Sequence, residues 1–400
     1  MIKLYARSYQ RVLRILSPAM PWRVPDLLEG EDSVLDLPTK LTEKGVKNVL
    51  IVTDAGITKI GLMEPLLQKL NEAGILYTIY DKTVPNPTIE NVEEAREVYE
   101  IKGCEGIIAF GGGSPIDCAK AIAARISRPN KSVTQLKGVL KVRKKIPPLY
   151  AVPTTSGTGS EGTLAAVISN KKTQEKFAIN DHSLIPHVAV LDPLLTIGLP
   201  KHITSMTGMD ALTHAVEAYI GKSTTAETRS YCTKAVKLIF ENLYEAYENG
   251  SNVEARKQMQ QASYFAGLAF TRSYVGYVHS IAHTLSGFYD VPHGLANAVI
   301  MPHVLRYYGE AVQHSLAELA DVVGIGKGES LQRKANLFIE AIEEMNAKLD
   351  IPNKIEGILD QDFPKMIKHA QAETIPLYPV PKLLKNDELF YLYQAIQGTP

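Results

Sequence analysis

The chain has 400 residues, 45% of them apolar and 22% charged, which excludes a fibrous or disordered protein and leaves room for two or three ordinary domains. Its 43 Lys and Arg are balanced by 43 Asp and Glu, so a broadly basic nucleic-acid binder is not supported. No apolar run approaches the ~20 residues of a membrane-spanning helix, and three cysteines without a CxxC pair argue against a disulfide framework and fit a reducing cytoplasm.

In chain order, residues 1–29 read as a basic amino-terminal arm. Lys3, Arg7, Arg11 and Arg14 recur at helical spacing, and no acid precedes Asp26, a pattern that resembles a mitochondrial targeting segment. Pro18, Pro21, Trp22 and Pro25 follow at once with no small-residue cleavage region, so an ordered arm is the expectation. Residues 30–199 alternate β-branched runs (48–54, 76–81, 106–110) with helical stretches, the signature of a parallel sheet with right-handed crossovers. From residue 200 to 400 the 3.6-residue period dominates, as in DALTHAVEAYI and ANLFIEAIEEMNAKLDI, so an all-α domain is expected.

Three segments of the first half suit a phosphate-bearing ligand. Gly111-Gly112-Gly113-Ser114-Pro115 lies between a strand and a helix, where glycines admit close backbone approach and the helix dipole favours an anion. It lacks the Walker lysine, and Ile116 replaces the last glycine of the usual dinucleotide fingerprint, so a plain tight turn stays open. Asp54 ends the strand VLIVTD, where a carboxylate could accept both ribose hydroxyls of NAD and repel the extra phosphate of NADP; the plainer reading is a turn residue. The hydroxyl-rich loop VPTTSGTGS at 152–160 could grip pyrophosphate or could simply be solvated.

The second half carries the sharper signal. Asp210 and His214 share a helical face, His279 and His283 repeat the spacing, and His293 follows a turn. Three imidazoles and a carboxylate without a thiolate suit Fe²⁺ or Zn²⁺, and the absence of HExxH argues against a metalloprotease. Glu217 lies one turn past His214; a partner to a metal ligand and a surface salt bridge are both open, and the surface pair is the expectation. The basic run 137–145, without interleaved aromatics, reads as a solvated loop.

The motifs GGGSPIDCAKA, VPTTSGTGSE, GMDALTHAVEAY and HSIAHTLSGFYDVPHGLANAVIMPHV, in that order, together with TDAG at 53–56 and VPNPT at 84–88, resemble the iron-containing (group III) alcohol dehydrogenase family over residues 30–400. The resemblance implies a Rossmann-like α/β dinucleotide-binding domain plus an all-α domain, the dehydroquinate synthase-like two-domain architecture with a cleft between them. It implies Asp210, His214, His279 and His293 as metal ligands and His283 as a non-ligand catalytic histidine. Asp54, Asn86, Gly112, Gly113, Ser114, Thr154, Thr155 and Thr158 correspond to NAD(H) contacts, with Val167 and Lys176 matched across a variable loop. The function implied is hydride transfer between a primary alcohol, or its aldehyde, and NAD(H), with Fe²⁺ (or Zn²⁺) as Lewis acid. The partner expected is a small-molecule substrate, with no nucleic acid and no membrane, and the resemblance implies a homodimer or larger homo-oligomer.

Ala165 stands where a polar residue near the substrate is often found in that family, which weighs against a small diol. A glycerol dehydrogenase-like polyol enzyme remains an alternative. A dehydroquinate synthase-like lyase would need several cations for an acidic substrate, and Arg272 is the lone permanent one in 264–294. A silent metal- and NAD-binding assembly protein would bind both groups without turnover. A nucleic-acid binder working through the basic arm would show salt-sensitive DNA retention.

Overall fold

A computed structural model describes residues 2–16, 22–173 and 175–398; residues 17–21, with Pro18 and Pro21 of the expected arm, and the Lys3 side chain lie outside the described residues. The chain forms two compact units: residues 21–198 are one, and the remainder, α1 (Ile2–Leu16) included, is the other. Residues 1–29 are thus divided. The helix α1 belongs with the later residues, while β1 (Asp26–Glu29) is a strand of the α/β unit.

The α/β unit continues through α2 (Leu37–Glu43), β2 (Asn48–Val52), α3 (Ala55–Lys59), α4 (Glu64–Glu72), β3 (Leu76–Tyr80), α5 (Ile89–Ile101), β4 (Gly106–Gly111), α6 (Gly113–Ser127), β5 (Gly138–Val139), β6 (Leu149–Pro153), β7 (Ala165–Asn170), β8 (Glu175–Asn180) and β9 (Val188–Leu191). Six strands form one wholly parallel sheet in the order β1-β9-β6-β4-β2-β3. Because strand side chains alternate, Leu50, Val52, Ile107 and Ala109 enter one core while Val49, Ile51, Ile108 and Phe110 enter another across the sheet. Both faces are covered, which is why these strands are apolar at every position. Each such Val, Leu or Ile contributes ~1.5–3 kcal/mol by leaving water. The remaining strands β5, β8 and β7 form a small separate sheet, with β7 and β8 antiparallel.

The helical unit contains α7 (Lys201–Ile220), α8 (Ala226–Glu248), α9 (Val253–Ser273), α10 (Tyr277–Tyr289), α11 (His293–Tyr308), α12 (Gln313–Val322), α13 (Leu331–Lys348), α14 (Phe363–Thr374) and α15 (Asn386–Ile396). From Gly208 to Ile220 every residue of α7 is buried, so this stretch of the helix has no wet face. Its polar residues must therefore find partners inside. Among the described residues no helix is long and apolar enough to cross a membrane. Cys104, Cys118 and Cys232 are all buried free thiols.

Candidate cofactor and metal sites

In the α/β unit the three sequence segments meet at the carboxyl ends of β2, β4 and β6. Gly111 and Pro153 are paired at the ends of their strands, and the Thr154 N–H donates to the Gly111 carbonyl at 3.0 Å. A Cβ placed on Gly111 would lie 3.6 Å from Asp54 Oδ2, and one on Gly112 would lie 3.3 Å from Thr155 Oγ1. At Gly113 a Cβ would come within 2.6 Å of Thr158 Cγ2, closer than atoms can pack, so only glycine fits where α6 starts. The Asn86 N–H donates to Ser114 Oγ at 3.3 Å. Asp54, Asn86, Gly112, Gly113, Ser114, Thr154, Thr155 and Thr158 are therefore neighbours, although they span more than a hundred positions.

Gly112, the residue before α6, supplies no side-chain cap, so the first amides of that helix are left for another acceptor. Asp54 does have a structural duty: its Oδ1 accepts from the N–H groups of Gly56 (2.9 Å) and Ile57 (3.1 Å) and caps α3. The turn reading and the ribose reading are thus compatible, because each carboxylate has two oxygens.

Val167 reaches this region through its N–H, which donates to Asp117 Oδ2 at 3.0 Å. Lys176 lies in the small sheet opposite Ser169. Sequence reasoning misses what joins the pieces. Asp117 Oδ1 accepts from Ser160 Oγ at 2.6 Å, and the fully buried Lys120 Nζ donates to Ser160 O, Ser160 Oγ, Thr163 Oγ1 and Ala165 O at 2.6–2.9 Å. This network ties α6 to the TTSGTGSE loop and to β7. Burial holds the Lys120 ammonium down at about 8 against the charges of Asp117 and Glu161, and holds the Glu161 carboxyl up at about 7 against its backbone hydrogen bond and the charge of Lys120. A signal for it exists, since Asp117 and Lys120 are the charged residues in the otherwise apolar PIDCAKAIAA helix.

In the helical unit, Asp210 Oδ1 is the hub. It lies 3.6 Å from His293 Nε2, 3.8 Å from His279 Nε2 and 4.0 Å from His214 Nδ1. Asp210, His279 and His293 form a three-donor group suited to a metal ion. His214 falls outside that trio but touches it, its ring stacked on His279 (4.4 Å) and on Phe270 (4.2 Å). The Asn297 amide donates to Asp210 Oδ1 at 2.7 Å and lies 3.2 Å from His293 Nε2. Sequence reasoning misses buried Asn297 as well, although it stands at i,i+4 from His293.

Glu217 corrects an expectation. It is not a surface salt-bridge residue: it is 3% exposed, its carboxylate accepts from the N–H of Gly276 and of Val278, each at 2.8 Å, and its Oε2 lies 2.7 Å from His279 Nδ1, which places the ring proton on Nδ1 because Oε2 already accepts from Gly276. Gly276 is required there, because a Cβ would stand 2.6 Å from Glu217 Oε1. Burial raises the Glu217 carboxyl to about 7 against those backbone hydrogen bonds. Burial, then the neighbouring imidazoles, pushes His279 well below its ordinary range, so the ring is neutral. With Nδ1–H committed to Glu217, the lone pair is on Nε2, a buried atom without a hydrogen-bond partner that faces a carboxylate. A divalent cation resolves that conflict. Two donors ~2.1 Å from one ion lie ~3–3.5 Å apart, close to the observed spacings, and the nitrogen–oxygen donor set suits iron or zinc. The residues fit the group.

His283 is adjacent and not part of the trio. Its ring stacks on His293 with centroids 5.0 Å apart, and its Nδ1 is 2.6 Å from Glu373 Oε1.

Known proteins place both halves in one context. The family model described as iron-containing alcohol dehydrogenase matches residues 25–193, and that of the Fe-containing alcohol dehydrogenase family, C-terminal, matches residues 204–397. The chain is 42% identical to the 1,3-propanediol dehydrogenase of Citrobacter freundii over 82% of its own length and 85% of that protein. It is 37% identical to the NAD-dependent methanol dehydrogenase of Bacillus methanolicus, over 86% and 91%. A crystal structure of 1,3-propanediol oxidoreductase superposes with a TM-score of 0.90 at 38% identity, covering 94% of this chain and 99% of that one. With matches on both units, the chain belongs to the iron-containing alcohol dehydrogenase family, whose members use NAD(H) and iron as alcohol–aldehyde oxidoreductases.

Proposed function

We propose that the protein interconverts a primary alcohol and its aldehyde with NAD(H), using Asp210, His214, His279 and His293 to hold the metal and His283 to pass the alcohol proton. The observation that carries this reading is the buried His279 Nε2, fixed by Glu217 behind it and facing the Asp210 carboxylate in front. When bound, the ion supplies Lewis acidity toward the substrate oxygen and the nicotinamide takes or gives the hydride. The chain's residues do the rest. Glu217 and the amides of Gly276 and Val278 hold the His279 ring in one tautomer. Asn297 orients Asp210. His283, whose Nδ1 is committed to Glu373, keeps Nε2 for proton exchange.

In the α/β unit we assign Gly112, Gly113, Ser114, Thr154, Thr155 and Thr158 to the pyrophosphate region, Asn86 beside them, and Asp54 to the ribose hydroxyls. Val167 and Lys176 complete the proposed set. Cytoplasmic residence is supported by the three unpaired cysteines. A homodimer or larger homo-oligomer is part of the proposal and is checked by sedimentation. Ala165 weighs against small diols, yet relatives of the chain are propanediol dehydrogenases, so diols belong in the substrate panel.

The test is an anaerobic screen of methanol, 1-propanol, 1,3-propanediol and glycerol, and of the corresponding aldehydes, with Fe²⁺-loaded protein and nicotinamide absorbance as readout. Turnover of an unbranched primary alcohol or aldehyde is expected. Nicotinamide binding without turnover across the panel overturns the reading and favours a silent assembly protein.

A further inference from the structure

The amino-terminal helix α1 lies outside both stretches matched by the family models, 25–193 and 204–397. It is nevertheless built into the helical unit. Ala6 is fully buried and Gln10 is 6% exposed. Arg7 donates to the carbonyls of Val380 (2.8 Å) and Pro381 (3.2 Å), and Gln10 Nε2 donates to those of Pro376 (3.1 Å) and Tyr378 (2.7 Å). The Arg7 guanidinium also holds Gln10 Oε1 at 2.9 Å, so the two side chains act as one fork. Four backbone carbonyls of one short segment thus depend on a helix nearly the whole chain away in sequence.

That segment carries Tyr378, whose hydroxyl donates to Glu373 Oε1 at 2.8 Å, the same oxygen that meets His283 Nδ1 at 2.6 Å. We infer that α1 is a clamp that fixes the segment after α14 and, through Tyr378 and Glu373, sets the ring of His283. Arg7, Gln10, Glu373 and Tyr378 are positioning residues, acting through His283 and touching no reactant. A shared acceptor oxygen fixes the ring in two ways. It commits the proton to Nδ1, leaving the Nε2 lone pair for exchange, and it removes rotation of the imidazole against His293, on which the ring is stacked. Loss of the clamp lets the segment shift, and a displacement of about 1 Å at a proton-transfer group costs up to ~100-fold in rate.

This inference rests on the proton-transfer role proposed for His283, and the experiment separates the two. Steady-state kinetics with 1-propanol and propanal would be run on the full-length, Fe²⁺-loaded enzyme carrying Tyr378→Phe, Glu373→Gln, Arg7→Met with Gln10→Leu, Arg7→Lys, and His283→Ala alone and combined with each. Tyr378→Phe removes a single oxygen and keeps the ring, so it guards against a variant that fails to fold. The expected result is a fall in kcat of ~10-fold or more for Tyr378→Phe, Glu373→Gln and the α1 double variant, with metal content and KM for NADH within twofold of wild type. Arg7→Lys, which retains a donor for Val380, should restore most of the rate. None of these changes should slow His283→Ala further.

Wild-type kcat in the α1 double variant and in Tyr378→Phe overturns the clamp while leaving the role of His283 intact. Losses that add to those of His283→Ala, or that come with lost metal or a raised NADH KM, show a merely structural helix and also overturn it. Wild-type kcat in His283→Ala instead overturns the proton-transfer role itself.

Discussion

The two units build their sites from opposite materials. In the α/β unit the proposed ligand-facing parts are backbone and small side chains: a glycine turn, helix amides and Thr hydroxyls, shaped by what cannot fit. In the helical unit they are buried and half-buried ionisable side chains whose backbone is ordinary helix. The first kind of site works by exclusion and is sensitive to added atoms. The second works by coordination and is sensitive to removed ones.

The largest expected effect tests coordination. His279→Ala or His293→Ala should abolish metal retention and lower turnover by ~10³-fold or more, since on the proposed mechanism the bound ion would supply the Lewis acidity. NADH affinity should change by less than about twofold. Metal content by mass spectrometry, with NADH fluorescence titration on the same samples, checks both halves. Full turnover in either variant would sink the ligand assignment.

The converse change adds one methyl group to the other unit. Gly113→Ala places a Cβ 2.6 Å from Thr158 Cγ2, so the turn or the loop must give way. Overpacking of this kind costs ~1–3 kcal/mol, and NADH affinity should fall by ~10-fold or more with metal content unchanged. Gly113→Ala combined with Thr158→Ser, which deletes the clashing carbon, should recover part of the loss. Equal loss of metal and of nucleotide would mean that the two kinds of site are not separable.

A smaller effect concerns charge alone. Asp54→Asn keeps an acceptor for the amides of Gly56 and Ile57 but removes the negative charge. The preference for NADH over NADPH in kcat/KM should fall by about tenfold, a change of ~1.4 kcal/mol. Asp54→Gly should relax it similarly while weakening α3. An unchanged ratio in both would leave Asp54 as a helix cap only.

Much of both candidate sites is legible in the amino-acid sequence, and the reason differs between the units. Spacing exposes polar residues that share a helix face, so the proposed ligands Asp210 and His214 stand out, as does the proposed ligand His279 with the non-ligand His283. Glycines in a strand–helix turn are equally visible because few other contexts need them. What stays hidden depends on distances that the chain closes in three dimensions. Glu217 resembles a solvent-facing charge because the sequence does not state that α7 is covered all round from Gly208 to Ile220. Glu373 and Tyr378 lie ninety or more residues from His283, and no period links them. The parallel sheet is readable from its central strands, whereas β1 reads as part of the arm: four residues with an exposed edge carry too little pattern.

The last effect leaves function unchanged and probes stability in the interior of the α/β unit, where charge is buried without a metal to justify it. Lys120 is satisfied by four oxygens, yet Glu161, 2% exposed, is held at about 7 by burial against an ordinary 4.5. A carboxyl whose folded value is raised binds more protons in the folded than in the unfolded chain between those two pH values. Its favourable contribution is complete below about 4.5 and is lost as pH rises through about 7. Glu161→Gln removes the titration and keeps the shape. Thermal stability of the wild type relative to that variant should therefore decline from pH 4.5 to 7, by at most a few kcal/mol. The decline should extend toward pH 8, because Lys120 keeps its proton to higher pH beside an ionised Glu161 than beside a neutral amide. Differential scanning calorimetry across pH 4.5–8.5 reads this directly. A difference that stays flat over the whole range would mean that Glu161 is ionised throughout and that the TTSGTGSE loop carries a buried charge by design, as the helical unit does.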